Sequence, residues 1–295
     1  MSIKFQRILL YVFLISLSLF FLIPFYQAFI VASRTAYDLF SYPLTFPTSG
    51  DHIDFFDNIV AFLYGGYLPS ANQESRMLQY ISKFPTGLLW LVNSILYGLL
   101  GSLGSILIAS LGAYSITKIP YRGTYALFLV SVSMMFFPPQ ILVIPMYVAM
   151  RTVGLYNTFF GMLLVYIGLG VPFATFIMRN HFVIISREIL ESARMDAAGE
   201  LRIWLTIVMP LAKPAIAVCF IFVFNFIMHD FLFAAFLLHS PSAIYARPVM
   251  PYIYYGTGTT VGTAGSLLVS LPTIVVFIAL QKYFIRGLLS GAVKQ

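Results

Sequence analysis

Long apolar runs broken by short polar segments constrain this chain most. From Ile8 to Ala32 it carries no charged residue. A helix needs about 20 apolar residues to cross the roughly 30 Å hydrocarbon core of a bilayer, and this run exceeds that. Backbone groups in lipid must bond within their own segment or close into a barrel, so runs of this length read as helices. Composition agrees. Hydrophobic residues make up 60% of the chain, charged residues only 9%, and mean hydropathy is +0.91. Soluble domains carry about 25% charge. The expected class is an all-α integral membrane protein. Lys4 and Arg7 precede the first run as in a signal peptide, but the run is too long and lacks a small-x-small cleavage pattern, so it is kept as a span. The single cysteine, Cys219, falls inside an apolar run and excludes an intrachain disulfide.

Six spans are predicted. The first is about 8–31, and a mixed external segment rich in proline and aspartate follows, in which Phe55–Tyr64 reads as a short amphipathic helix. This gives two regions: 1–87, the first helix with its external segment, and a core domain over 88–295. The second span, about 88–117, carries Gly98, Gly101, Ser102, Gly104, Ser105, Ser110 and Gly112. Small residues at such spacings let helices approach closely. The third, about 123–150, contains Pro138, Pro139 and Pro145 and is expected to kink or break. The fourth, about 158–178, is expected to be interrupted at Gly168, Gly170 and Pro172. The fifth is about 214–238 and the sixth about 264–283. Between them lies a loop with Tyr245, Tyr252, Tyr254 and Tyr255, suited to an aromatic membrane interface or to an external protein.

Orientation follows from lysine and arginine placement. With the amino terminus inside, 12 of the 17 basic residues fall on the inner side and 5 on the outer. Both termini are then cytoplasmic, in the plasma membrane. The net charge of +7 is spread along loop edges, which fits topology and not nucleic-acid binding.

The stretch from Arg187 to Pro214 stands out against this background. It holds Glu188, Glu191, Arg194, Asp196, Glu200 and Arg202 between two apolar segments. Leu190, Ala193, Ala197 and Leu201 recur at three- or four-residue spacing, which predicts one shared helix face. Pro210 and Pro214 mark the return into the membrane. By the charge count this loop is cytoplasmic. A short charged helix placed there is a natural handle for a soluble partner.

The stretch resembles the EAA loop of permease subunits of ATP-binding-cassette (ABC) importers. That loop runs Glu-Ala-Ala, a glycine three residues beyond, then Ile and Leu-Pro about ten residues on. Here it reads Glu191-Ser192-Ala193, Asp196-Ala197-Ala198, Ile207 and Met209-Pro210. Ser192, Ala197 and Met209 depart from the pattern. Ala197 replaces the turn glycine, and Gly199 is expected to supply the turn in its place. The last two spans, the tail GLLSGAVK and Asn93-Ser94 also look like the carbohydrate-uptake branch, second permease of maltose-type systems. The resemblance implies a type I importer transmembrane fold of six helices with a cytoplasmic coupling helix. It implies four kinds of partner: a homologous permease, two ATP-binding subunits, an external solute-binding protein and a sugar. ATP and magnesium would then belong to the partner subunits and no cofactor to this chain. Glu191 would be the charged contact to the ATPase, and Ala193, Ala197 and Leu201 the apolar ones. The tail, in the same reading, contacts the ATPase subunits from the same side or is a frayed basic end.

No lysine follows a glycine, so no phosphate-binding Gly-Lys-Ser/Thr loop is present. HExxH, CxxC and GxSxG are absent, and the four histidines are dispersed, so neither catalysis nor a metal site is expected. Asn225, His229 and Asp230 are the polar residues of the fifth span. A carboxylate at mid-depth costs about 2.5–3.5 kcal/mol on insertion scales, so Asp230 should face the bundle or a cavity. Two readings stay open for this trio: contact with the solute pathway, or a helix-packing and gating role. The matching stretch of the family commonly reads Trp-Asn-Glu-Phe, here Met228-His229-Asp230-Phe231. The absence of basic residues within the spans favours a neutral sugar. Rival classes are an importer permease for another solute, an ion-coupled secondary transporter and a membrane anchor that recruits a cytoplasmic enzyme. With Asp230 as the one acid inside a span, ion coupling has little to work with.

Overall fold

The computed structural model describes residues 3–34, 54–64, 86–119, 121–238, 246, 248–250 and 258–292. The tyrosines at 245, 252, 254 and 255 and the end of the tail at Lys294 lie outside these. The described chain is helical. Four helices are long and apolar enough to cross a membrane, and six spans result when each of two bent pairs counts as one.

The chain divides into two compact units. The first comprises Met1–Leu88 with Tyr252–Ser270, so part of the last helix joins the amino-terminal region. Its long helix is α1 (Ile3–Ala32). None of the most apolar window of α1 is buried, as expected of a helix whose solvent is lipid. Only its end is enclosed, where Ile30 and Ala32 are buried. There α2 (Phe55–Leu63) is tied down. Asn58 donates its side-chain amide to the carbonyls of Ala32 (2.9 Å) and Arg34 (3.1 Å). The amphipathic helix expected at 55–64 is thus present.

The second unit comprises Leu89–Pro251 and Leu271–Gln295. Its centre is α3 (Thr86–Lys118). A Cβ at Gly98, Gly101 or Gly104 would fall 2.6–2.7 Å from Phe224, Ile227 or Ile167, so those glycines permit the close approach expected of them. Gly112 meets nothing within 4 Å. The third span breaks. Helix α4 (Thr124–Ser133) runs into a 3-10 turn at Met134–Phe136. Phe137 and Pro138 are extended, and a second 3-10 turn (Pro139–Leu142) leads into α5 (Val143–Thr152), the two halves meeting at 98°. Pro145 sits in the first turn of α5, where its missing N–H costs nothing.

The fourth span corrects the sequence expectation. Helix α6 (Phe159–Ile184) is continuous through Gly168, Gly170 and Pro172. Breaking a helix in lipid strands a whole turn of backbone groups, whereas a lone proline loses one bond that neighbours can offset. Ser105 of α3 directs its hydroxyl between the carbonyls of Gly101 (2.7 Å) and Ile167 (3.0 Å), next to the carbonyl that Pro172 frees.

After α6 come α7 (Arg187–Met195) and α8 (Glu200–Ile203). The latter continues through a π turn at Trp204–Val208 to a last turn at Met209–Leu211. Helix α9 (Lys213–Met228) leaves it at 79°. The fifth span, expected to be one helix, stops at Met228, and α10 (Leu232–Leu237) restarts beyond a three-residue break. Helix α11 (Thr259–Ala292) closes the chain. Two apolar clusters fill the second unit. One joins Tyr114, Met178, Phe182, Leu190 and Trp204, and the other joins Tyr97, Tyr166, Ile227 and Phe233.

Candidate functional site

The polar loop after α6 is built from the bottom up by caps. Ser186 starts α7 by accepting the Glu188 N–H (3.2 Å), and Glu188 near the helix start with Arg194 near its end both suit the helix dipole. Leu190 is 1% exposed and anchors α7 in the core, with Ala193 packed beside it. At the other end the Ala198 N–H donates to Ala193 O (3.1 Å) and the Ala197 N–H to Arg194 O (3.0 Å). That pair is a Schellman closure, and it requires a left-handed residue in between. Ala197 takes that place at φ +57°.

This corrects two expectations. The turn falls on Ala197, not on Gly199, which is extended (φ −70°, ψ 153°) and caps α8. Ala197 and Leu201 therefore do not share a helix face with Leu190 and Ala193. Helix α7 ends at Met195, and Leu201 belongs to α8. The apolar side chains the loop actually presents are Met195 (87% exposed), Leu201 (69%), Leu205 and Ile189. Sequence periodicity selected Ala193 because its spacing from Leu190 is real, but that face looks inward. Glu191 and Asp196 are exposed. Glu191 has no ion pair or side-chain hydrogen bond among the described residues. Ile207 packs against the core from the π turn, and Pro210 lies in the last turn before α9.

A polar cluster holds this loop to α3, and it escaped the sequence reading. Arg194 Nε and Glu200 Oε1 are 2.7 Å apart. The Tyr114 hydroxyl donates to Glu200 Oε2 at 2.5 Å. Arg194 also reaches the Lys118 carbonyl (3.4 Å), and Lys118 Nζ donates to Ile185 O (2.6 Å) at the end of α6. The hydrogen bonds from Arg194 and then Tyr114 hold the Glu200 carboxyl below the usual carboxylate range, and Glu200 in turn raises Arg194.

The trio of the fifth span is not brought together. Asn225 and His229 are exposed, and His229 Nδ1 lies 2.9 Å from the Asn225 carbonyl. Asp230 turns the other way and is buried. Its carboxylate accepts from the Tyr166 hydroxyl (2.9 Å) and from the N–H groups of Phe233 (3.3 Å) and Ala234 (3.1 Å). It caps α10, so the break and the carboxylate explain each other: the freed amides satisfy the charge and the charge satisfies the amides.

Taken together these features define a polytopic helical membrane protein that presents a rigidly capped, externally unpaired helix on a polar loop. The family follows from comparison. Residues 105–290 match the family described as binding-protein-dependent transport system inner membrane component. The chain belongs to that family. The maltodextrin transport system permease protein MdxG of Bacillus subtilis (strain 168) is 38% identical over 151 residues, 50% of this chain and 54% of the relative. The galactooligosaccharides transport system permease protein GanQ of the same organism is 33% identical over 229 residues, 76% of this chain and 77% of the relative. For the first three curated relatives the match spans 54% to 62% of their length. A bacterial ABC transporter involved in the import of the acidic polysaccharide alginate has a chain of the same fold. Its TM-score is 0.71 at 25% identity, over 95% of this chain and 97% of that one.

Proposed function

We propose that this chain is one of two permease subunits of an ATP-driven, binding-protein-dependent sugar importer, and that α7 is its coupling helix. The observation that carries this reading is α7 itself. It lies inside the family match, Leu190 and the Arg194–Glu200 pair fix it, Met195 is exposed, and Glu191 is exposed with no side-chain partner among the described residues. In this reading the loop and both termini are cytoplasmic, where the excess of basic residues lies. Two ATP-binding subunits carry ATP and magnesium, and this chain hydrolyses nothing. A homologous permease completes the pathway, and an external solute-binding protein delivers the solute.

Oligosaccharides are the solute class supported by the names of the maltodextrin and galactooligosaccharide relatives. Asn225 and His229, exposed beside Phe222 and Phe226, are the pathway candidates; Asp230 serves the scaffold. The test is uptake of maltotriose and of galactobiose by the assembled complex in proteoliposomes. Uptake should require ATP and the binding protein, and Glu191→Lys should abolish it with the permease still inserted in the membrane. Uptake by the chain alone without ATP would instead favour an ion-coupled carrier.

A further inference from the structure

The structure carries one inference beyond that reading, and it rests on it. We infer that Tyr114, Glu200 and Arg194 form a latch that makes α3 and the turn between α7 and α8 move as one piece. Helix α9 follows this loop in sequence and is the obvious route for any motion of the loop. The loop meets α9 across a 79° bend with a π turn before it. The contacts to α3 are of another kind. Tyr114 lies one turn from the end of α3, and its hydroxyl and the Arg194 guanidinium hold the two oxygens of the same carboxylate. Arg194 and Glu200 lie on either side of Ala197, so the ion pair spans the turn while Tyr114 fastens it to the long helix. Arg194 also bonds the Lys118 carbonyl at the last residue of α3. Beside the latch the surfaces are not packed. A cavity of about 220 Å³ lies there, lined by Thr117, Lys118, Arg187 and Glu191 among others. The polar contacts there add to the apolar packing of Leu190 and Trp204 with Tyr114 in one buried cluster.

The consequence is a second transmission route. A push on α7 reaches α3 directly, and α3 carries the glycines packed against α9 and α6. Tyr114, Glu200 and Arg194 are thus positioning residues.

The experiment uses the full complex with both ATP-binding subunits in lipid nanodiscs. Nitroxides are placed at Arg202→Cys and Ile108→Cys with Cys219→Ala, and their separation is measured by pulsed EPR with and without ATP and vanadate. ATP hydrolysis without solute is measured beside it. The unmodified latch should give one narrow distance, unchanged by nucleotide. Tyr114→Phe and Glu200→Gln should each broaden it, make it nucleotide-dependent and raise solute-independent hydrolysis threefold or more. The exchanged pair Arg194→Glu with Glu200→Arg keeps an ion pair across the turn but loses the Tyr114 and Lys118 contacts, so it should assemble and still broaden the distance and raise the rate as the single variants do. A nucleotide-dependent distance in the unmodified chain overturns the latch, as do variants with the unmodified distance and rate. Variants that fail to assemble, with the exchanged pair failing too, reduce the cluster to a folding contact and also overturn it. Failure of the ATP-binding subunits to bind the unmodified chain defeats the permease reading itself and takes the inference with it.

Discussion

The Ala198 N–H donates to the Ala193 carbonyl at 3.1 Å, and this bond can form only because Ala197, between them, is left-handed at φ +57°. An L-residue with a Cβ pays about 1–2 kcal/mol there. Ala197→Gly removes that strain but adds unfolded-state entropy of about 0.4–1 kcal/mol, so it should be neutral or stabilising by up to about 1 kcal/mol. Ala197→Val should destabilise the loop, since a β-branched residue fits this region worst. Limited proteolysis within 187–214 orders the three forms: glycine slowest, alanine next, valine fastest.

Asp230 should be a scaffold residue in stability measurements. Asp230→Ala strands the Tyr166 hydroxyl and two α10 amides, with an expected loss of about 2–4 kcal/mol. Asp230→Asn keeps an acceptor at the cap and should lose about 1 kcal/mol. Thermal unfolding of the purified protein separates them.

Much of this arrangement was legible in the sequence, and what was hidden has a common cause. The break in the third span is written in Pro138-Pro139, because proline fixes φ and removes a donor whatever surrounds it. The position of the charged loop is equally local. The break in the fifth span has no such signature: 229–231 contains neither glycine nor proline, and the stop is stabilised by Tyr166, 64 residues away. The Tyr114–Glu200 contact joins residues 86 apart, and no spacing rule reaches that far. Ala197 misled because Gly199 stood nearby as a better-suited turn residue; the closure bonds to Ala193 and Arg194 decided otherwise. At Pro172 the local signal was real and was outweighed by the cost of opening a helix in lipid.

Helix α6 offers a paired packing test. A Cβ at Gly170 would lie 2.4 Å from Ser105 Oγ and 2.9 Å from Val223 Cγ1, while at Gly168 it would meet nothing within 4 Å. Gly170→Ala should cost about 1–3 kcal/mol by overpacking. Gly168→Ala should stabilise by about 0.5–1 kcal/mol, the advantage of alanine over glycine in a helix interior. Melting temperatures in detergent compare the two directly.

The loop should loosen in acid. Arg194 and Tyr114 depress the Glu200 carboxyl, so its folded-state pKa lies below its unfolded one. Its contribution is present in full above the unfolded value of about 4.3 and is lost as pH falls through the folded value. A spin label at Met195→Cys should stay ordered at neutral pH and gain mobility only below the ordinary carboxylate range. Glu200→Gln should lack this acid transition.

The most direct test of the account asks what touches α7 in the working assembly. A photo-reactive benzoylphenylalanine at Met195, the most exposed apolar side chain of the loop at 87%, would be irradiated in the complex purified with its ATP-binding subunits. The account predicts a covalent adduct to an ATP-binding subunit, lost with Glu191→Lys. An adduct to lipid alone, or none to either nucleotide-binding partner, would contradict it.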